Sequence, residues 1–160
     1  MTWGTGVRVA VAALSLSGSG LIGIAIHEAW RDTAYLPTPN DVPTIGFGST
    51  RGVKPGDKIT VERGLMRLKE DASDAENAVI NCAPVPMYQH EFDAWVSFTF
   101  NVGGSAFCRS TAAKLLNEGK YREACAQMDR WVYQGDKVLP GLVKRRAEER
   151  AMCEGPKAYG

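Results

Sequence analysis

The sequence predicts an α+β fold that is mainly helical, with a small β-hairpin near its start. Three observations lead there. Apolar residues recur at helical spacing through most of the chain after residue 60. Between residues 31 and 49 the pattern changes to short strand-like runs around Pro37-Thr38-Pro39-Asn40-Asp41, a cluster of turn residues. The length of 160 residues suits one core, and 44% hydrophobic with 23% charged residues is ordinary for a globular chain. The net charge of +1 argues against a dedicated nucleic-acid binder.

In chain order, the first feature is an uncharged run of 18 residues, Val9 to Ile26, preceded by Arg8. As one helix it would reach about 27 Å, just enough to cross a bilayer. Its many Ala, Ser and Gly residues make it a weak anchor. A charged start before an apolar run also describes a signal peptide, but cleavage just beyond the run would leave Glu28 at the new N-terminus. A buried core helix is the third reading, and such a helix rarely lacks a charged face for so long.

Glu28 follows directly. A carboxyl at the end of an apolar run is partly shielded from water, which favours the protonated form that a general acid needs. Next comes the hairpin. Tyr35 and Leu36 end its first strand, and Val42 to Phe47 form the second, with Pro43 suiting an edge. It carries a second carboxylate, Asp41, and a hydroxyl, Thr44. An acid facing a carboxylate and a hydroxyl suits hydrolysis of a glycosidic bond by a positioned water. His27-Glu28-Ala29-Trp30-Arg31 begins like a zinc-protease helix but lacks the second histidine, and with two histidines and no Cys-x-x-Cys pair in the chain no zinc site is expected.

Thr60 is a plausible N-cap for a helix running to about Ile80, with Leu65, Leu68, Ala72, Ala75 and Val79 on its apolar face. Pro84 and Pro86 precede a second helix, Met87 to Asn101, apolar nearly all round and therefore central to the core. Val102 to Ser105 reads as a turn. Ser110 or Thr111 opens a short helix that stops near Asn117-Glu118-Gly119. Tyr121 to Tyr133 reads as another helix, Gln134 to Gly141 as a loop, and Leu142 to Cys153 as the last helix, carrying Lys144, Arg145, Arg146 and Arg150. The four cysteines, at 82, 108, 125 and 153, show no Cys-x-x-Cys pair. In an exported chain they form two disulfides with three possible connectivities, of which Cys82–Cys108 with Cys125–Cys153 is favoured; in a cytosolic chain they stay as thiols.

The Glu28-to-Ser49 stretch resembles the phage-type lysozymes, glycoside hydrolase family 24. Their pattern is a Glu on a first helix, an Asp or Cys, then a Thr opening a Thr-Ile-Gly-aromatic-Gly strand. Glu28, Thr44-Ile45-Gly46-Phe47-Gly48 and Tyr35 match it. The middle residue departs: family spacing puts it at Pro37 counted from Glu28, or at Thr38 counted back from Thr44. Asp41 is the one carboxylate in the hairpin and takes the role, with Thr38 its rival. Asn101-Val102-Gly103, Arg130-Trp131 and Leu139-Pro140-Gly141-Leu142-Val143-Lys144-Arg145-Arg146 also look like this family, so the resemblance covers most of Gly23 to Glu154.

The resemblance implies a lysozyme-like two-lobed fold, with a hairpin lobe, a helical lobe and a cleft between them. It implies a muramidase-type endolysin cutting the β-1,4 bond between N-acetylmuramic acid and N-acetylglucosamine of peptidoglycan. Glu28, Asp41 and Thr44 would be catalytic, and Tyr35 and Arg145 would serve substrate binding. Arg145, or Arg146 after it, would approach Glu28 from behind as the family's last-helix arginine does; a nearby cation favours the ionised carboxyl and opposes the effect of burial. The run resembles a signal-anchor-release segment, so residues 1–26 are expected as that segment and 27–160 as the catalytic domain. Residues 9–26 would hold the enzyme, silent, in the host inner membrane, and release would activate it in the periplasm as a monomer. A lytic transglycosylase cuts the same bond and is the neighbouring enzyme reading. A membrane-tethered wall-binding module is the non-catalytic one, and the missing acidic residue at Pro37 or Thr38 supports it.

Overall fold

A computed structural model describes residues 6–156. Residues 1–5 of the expected N-terminal segment and 157–160 of the expected catalytic domain lie outside the described residues. Those described form eight α-helices and two small antiparallel sheets. They divide into two compact units, one of Leu21–Ser73 and one of the residues before and after it.

The uncharged run does not form one long helix. Val9 pairs with Met87, and Val11–Ala13 make a single 3-10 turn. α1, Gly18–Ala25, follows. Serine explains the break: the Ser17 hydroxyl accepts the Gly20 N–H at 3.0 Å, an N-cap that starts a new helix partway along the run. Among the described residues no helix is long and apolar enough to cross a membrane.

In the unit Leu21–Ser73, strand β1 (Arg31–Tyr35) pairs with β2 (Thr44–Gly46), with Arg31 opposite Gly46, Tyr35 opposite Thr44 and an irregularity between. The second strand is shorter than the expected Val42–Phe47; it begins at Thr44, and Phe47 and Gly48 already turn. β1 is also bonded on its other side, where Ala34 N–H reaches Asp57 O at 2.8 Å and Ile59 N–H reaches Asp32 O at 2.9 Å. Helix α2, Val61–Asp71, opens on Thr60, whose side chain accepts the Arg63 N–H as the sequence predicts. Trp30 and Phe47 lie 4.8 Å apart by ring centroid, and Gly64 of α2 presents its bare Cα to Trp30.

The expected helix from 60 to 80 is two, α2 and α3 (Ser73–Cys82), divided at Ala72. Asp71, Ser73 and Asp74 surround the break, and such short polar side chains favour helix ends over interiors. Leu68, Ala72, Ala75 and Val79 are nonetheless buried as predicted.

The helical unit is built on α4, Gln89–Val102, in which every residue from Glu91 to Thr99 is buried. It packs against α8, Pro140–Glu154. The turn expected after Val102 continues into a short helix, α5 (Gly104–Cys108). α6, Thr111–Asn117, begins on Ser110, which accepts the Ala113 N–H. α7, Tyr121–Gln127, ends before the expected Tyr133 and passes through a 3-10 turn at Met128–Arg130. The expected loop that follows holds a tiny hairpin, β3 (Tyr133–Gln134) with β4 (Lys137–Val138). Gly135, at φ 62°, takes the first of its two turn positions, where a glycine makes a two-residue reversal cheap. Disulfides join Cys82 at the end of α3 to Cys108 at the end of α5, and Cys125 in α7 to Cys153 in α8.

Candidate active site

Glu28 stands one turn beyond α1. The helix unwinds through Ile26 and His27, and the Glu28 N–H donates to Ala25 O at 3.1 Å. Its side chain is half-buried. The end of β2 and the turn after it lie beside it. Ile45 and Ser49 exchange both backbone hydrogen bonds, 2.9 and 3.0 Å, closing a tight loop over Gly46, Phe47 and Gly48. That loop needs positive φ at Gly46 (66°) and Gly48 (98°), which explains both glycines of Thr-Ile-Gly-Phe-Gly. A Cβ on Gly48 would lie 3.9 Å from Glu28 Oε2, so the bare backbone of the turn borders the carboxyl. The Ser49 hydroxyl donates to Asp71 and ties the turn to the end of α2.

Thr44 is buried, 6% exposed, at the start of β2 and opposite Tyr35. Its hydroxyl donates to Val42 O at 3.1 Å, leaving the oxygen able to accept from a water. Asp41 is exposed, and its Oδ1 accepts the Val42 N–H at 3.0 Å. The two expected partners thus bond the N–H and the carbonyl of one residue, Val42. Thr38 is exposed and uses its carbonyl to accept the Asp41 N–H at 3.0 Å, closing the hairpin turn. Tyr35 is half-buried, with the Arg31 guanidinium 5.2 Å from its ring centre.

Arg145 lies in the helical unit, on α8, and is 4% exposed. Its Nε donates to Glu149 Oε1 at 2.9 Å and its guanidinium also reaches Ser97 O at 3.2 Å. Arg146, 1% exposed, binds Glu149 Oε2, Asn101 Oδ1 and, at 3.0 Å, Trp131 O. The Ser97 hydroxyl completes the cluster by donating to Glu149 Oε1 at 2.8 Å. Burial pulls Arg146 below the usual arginine range, against the opposing pull of Glu149. Sequence reading named the arginines and missed the carboxylate between them. Glu149 falls four residues after Arg145 and three after Arg146, a spacing that places all three on one helix face. Asn101 and Trp131 stand in two of the stretches that carried the resemblance, and here they are the acceptors that hold Arg146. Among the described residues no group of His, Cys, Asp and Glu could hold a metal ion.

A family model described as phage lysozyme matches residues 25–149. An endolysin of Acyrthosiphon pisum secondary endosymbiont phage 1 is 36% identical over 145 residues, covering 88% of this chain and 99% of that one. A SAR-endolysin of Pseudomonas phage phiKMV is 36% identical over 151 residues, covering 91% of this chain and 90% of that one. Among solved structures, a mutant of P22 lysozyme superposes with a TM-score of 0.82 at 34% identity, covering 88% of this chain and 99% of that one. The match begins just ahead of Glu28 and runs through Glu149, so both the hairpin and the arginine helix fall within it, and the chain belongs to the phage lysozyme family.

Proposed function

We propose that the protein is a phage endolysin of the muramidase type, hydrolysing the β-1,4 bond between N-acetylmuramic acid and N-acetylglucosamine in peptidoglycan. The observation that carries this reading is Glu28, a half-buried carboxyl bordered by the Gly48 turn, in a chain of the phage lysozyme family. Glu28 gives its proton to the leaving glycosidic oxygen. Thr44 and Asp41, each bonded to the backbone of Val42, hold the water that attacks the sugar. Tyr35 serves substrate binding, whereas Arg145, buried and bound to Glu149 and Ser97 O, is not given that role, and the site uses no metal or organic cofactor.

Turbidity of permeabilised Gram-negative cells tests the assignment. Glu28→Gln is expected to lose at least about 100-fold in clearing rate while keeping its fold. Full clearing by Glu28→Gln would refute the reading. Asp41→Ala is expected to fall about 10-fold or more; if it clears at the wild-type rate while Thr38→Ala does not, the water belongs to Thr38. Mass spectrometry of the digest separates hydrolysis, which leaves a reducing end, from transglycosylation, which leaves an anhydro ring.

The proposal extends to location. Residues 9–26 first tether the chain in the host inner membrane and then leave it, so that the monomeric enzyme works in the periplasm. The length and weak hydrophobicity of the run support this, as does similarity to relatives named SAR-endolysin. In the folded chain the same residues make the short turn and α1 described above.

A further inference from the structure

Arg8 is the only charged side chain in the first 26 residues, and the structure gives it an unusually complete seat. Its Nε reaches Glu91 Oε1 and Oε2 at 3.2 and 3.0 Å, and a terminal nitrogen reaches Oε1 at 2.8 Å. Its guanidinium carbon lies 3.8 Å from the ring centre of Tyr121 and 4.6 Å from that of Tyr88. Glu91 is 3% exposed and already accepts the Tyr88 N–H at 2.9 Å. A carboxylate buried this far is costly without a cation, so the seat is built to take one. Two ring faces and a paired carboxylate favour a planar guanidinium over an ammonium. Tyr121 is fixed in turn by donating its hydroxyl to Pro86 O at 2.6 Å. Behind it a cavity of about 140 Å³ is lined by Arg8, Glu91, Tyr121, Arg122, Glu154 and the Cys125–Cys153 disulfide.

The residues after Arg8 are held in series. Val9 and Met87 exchange backbone hydrogen bonds at 3.0 and 2.9 Å. Ser15 O accepts from the Gln89 amide, Leu16 N–H donates to Glu76 at 3.0 Å, and Ser17 donates its N–H and its hydroxyl to Asp93. Two acidic side chains and one amide thus satisfy backbone polar groups of a segment with no charged side chain of its own.

We propose that Arg8 is a clasp: its seating between Tyr88 and Tyr121 on Glu91 decides whether residues 8–17 stay bound to the helical unit. The clasp is a property of the oxidised chain, because the Cys125–Cys153 bridge joins the helix that carries Tyr121 to α8. This goes beyond the reaction assigned above and does not rest on it, since docking of the segment is read without any wall substrate.

Limited digestion of the oxidised full chain with trypsin tests it, following cleavage after Arg8 by mass spectrometry and using cleavage after Arg51, in an exposed loop, as the internal reference. A seated arginine whose neighbour is paired to Met87 is a poor protease site, so cleavage there reports local opening. Wild type is expected to be cut after Arg8 far more slowly than after Arg51. Glu91→Gln is expected to be cut after residue 8 about 10-fold faster than wild type, and Tyr121→Leu faster than Tyr121→Phe, which keeps the ring. Replacing Cys125 and Cys153 by serine should accelerate the cut, while replacing Cys82 and Cys108 should not. Should Glu91→Gln also be cut at the buried Arg145 and Arg146, its fold is lost and Arg8→Lys decides, being itself a trypsin site: faster cutting supports the clasp. Equal rates after residue 8 in wild type and in the deciding variant overturn it.

Discussion

Gly64 presents its Cα to the indole of Trp30, where a Cβ would meet Cζ3 at 2.5 Å and Cη2 at 3.1 Å, with Phe47 at 3.4 Å behind. Alanine would gain up to about 1 kcal/mol as a helix former and lose about 1–3 kcal/mol to overpacking. Gly64→Ala is therefore expected to lower the urea midpoint, with the intensity of Trp30 fluorescence changing alongside it. Glu149 is the other single position on which much depends. It is the carboxylate shared by two buried guanidinium groups, and Glu149→Ala should destabilise the fold by about 3–5 kcal/mol, read from chemical denaturation. At this scale the sequence was legible where chemistry and spacing coincide: Glu28 after the apolar run, Thr44 opening its strand, and the glycines that follow. Asp41 shows the opposite. Its identity as the hairpin's carboxylate was plain, yet its exposure and its bond to the next backbone N–H depend on how the turn closes, which composition does not encode. Glu149 was passed over because a carboxylate on a basic helix reads first as surface.

Among the elements, those with capping side chains were readable and those ended by tertiary contacts were not. Thr60 and Ser110 start their helices as their side chains dictate. Tyr121 to Tyr133 carried a continuous apolar face, but the α-helix ends at Gln127 and a 3-10 turn leads to Trp131, whose O is taken by Arg146. The hairpin at Gly135-Asp136 escaped notice because its strands are two residues each, too short to show alternation. The disulfides act at this level too. Cys82–Cys108 closes a loop with a sequence separation of 26 residues, and its loss as a double serine variant should cost about 3–4 kcal/mol, seen as a fall in Tm.

For the whole molecule the proposed location gives the uncharged run two competing settings, lipid and the folded chain. Gly18 meets nothing within 4 Å, so leucine there adds apolar surface without disturbing the fold. Gly18→Leu is expected to leave more of the protein in the inner-membrane fraction and to delay lysis, as cell fractionation and culture turbidity would record. Gly20 does not serve this purpose, because a Cβ there would meet Asp93 Cγ at 2.7 Å and Leu16 Cδ1 at 2.8 Å and so break the docked state as well. The mainly helical class with a small hairpin was legible from periodicity. The folded form of residues 9–26 was not, because Ser17, which reads as mild polarity, is there a helix cap and a donor to Asp93.

Both covalent bridges fasten helices of one compact unit, and the stretch from Leu21 to Ser73, which carries Glu28, contains no sulfur crosslink at all. Heat or denaturant is therefore expected to loosen the uncrosslinked unit while the stapled unit keeps its shape. An enzyme warmed to partial inactivation should regain its potency on cooling without reshuffling a single thiol, like a blade that slips its handle and is pushed back.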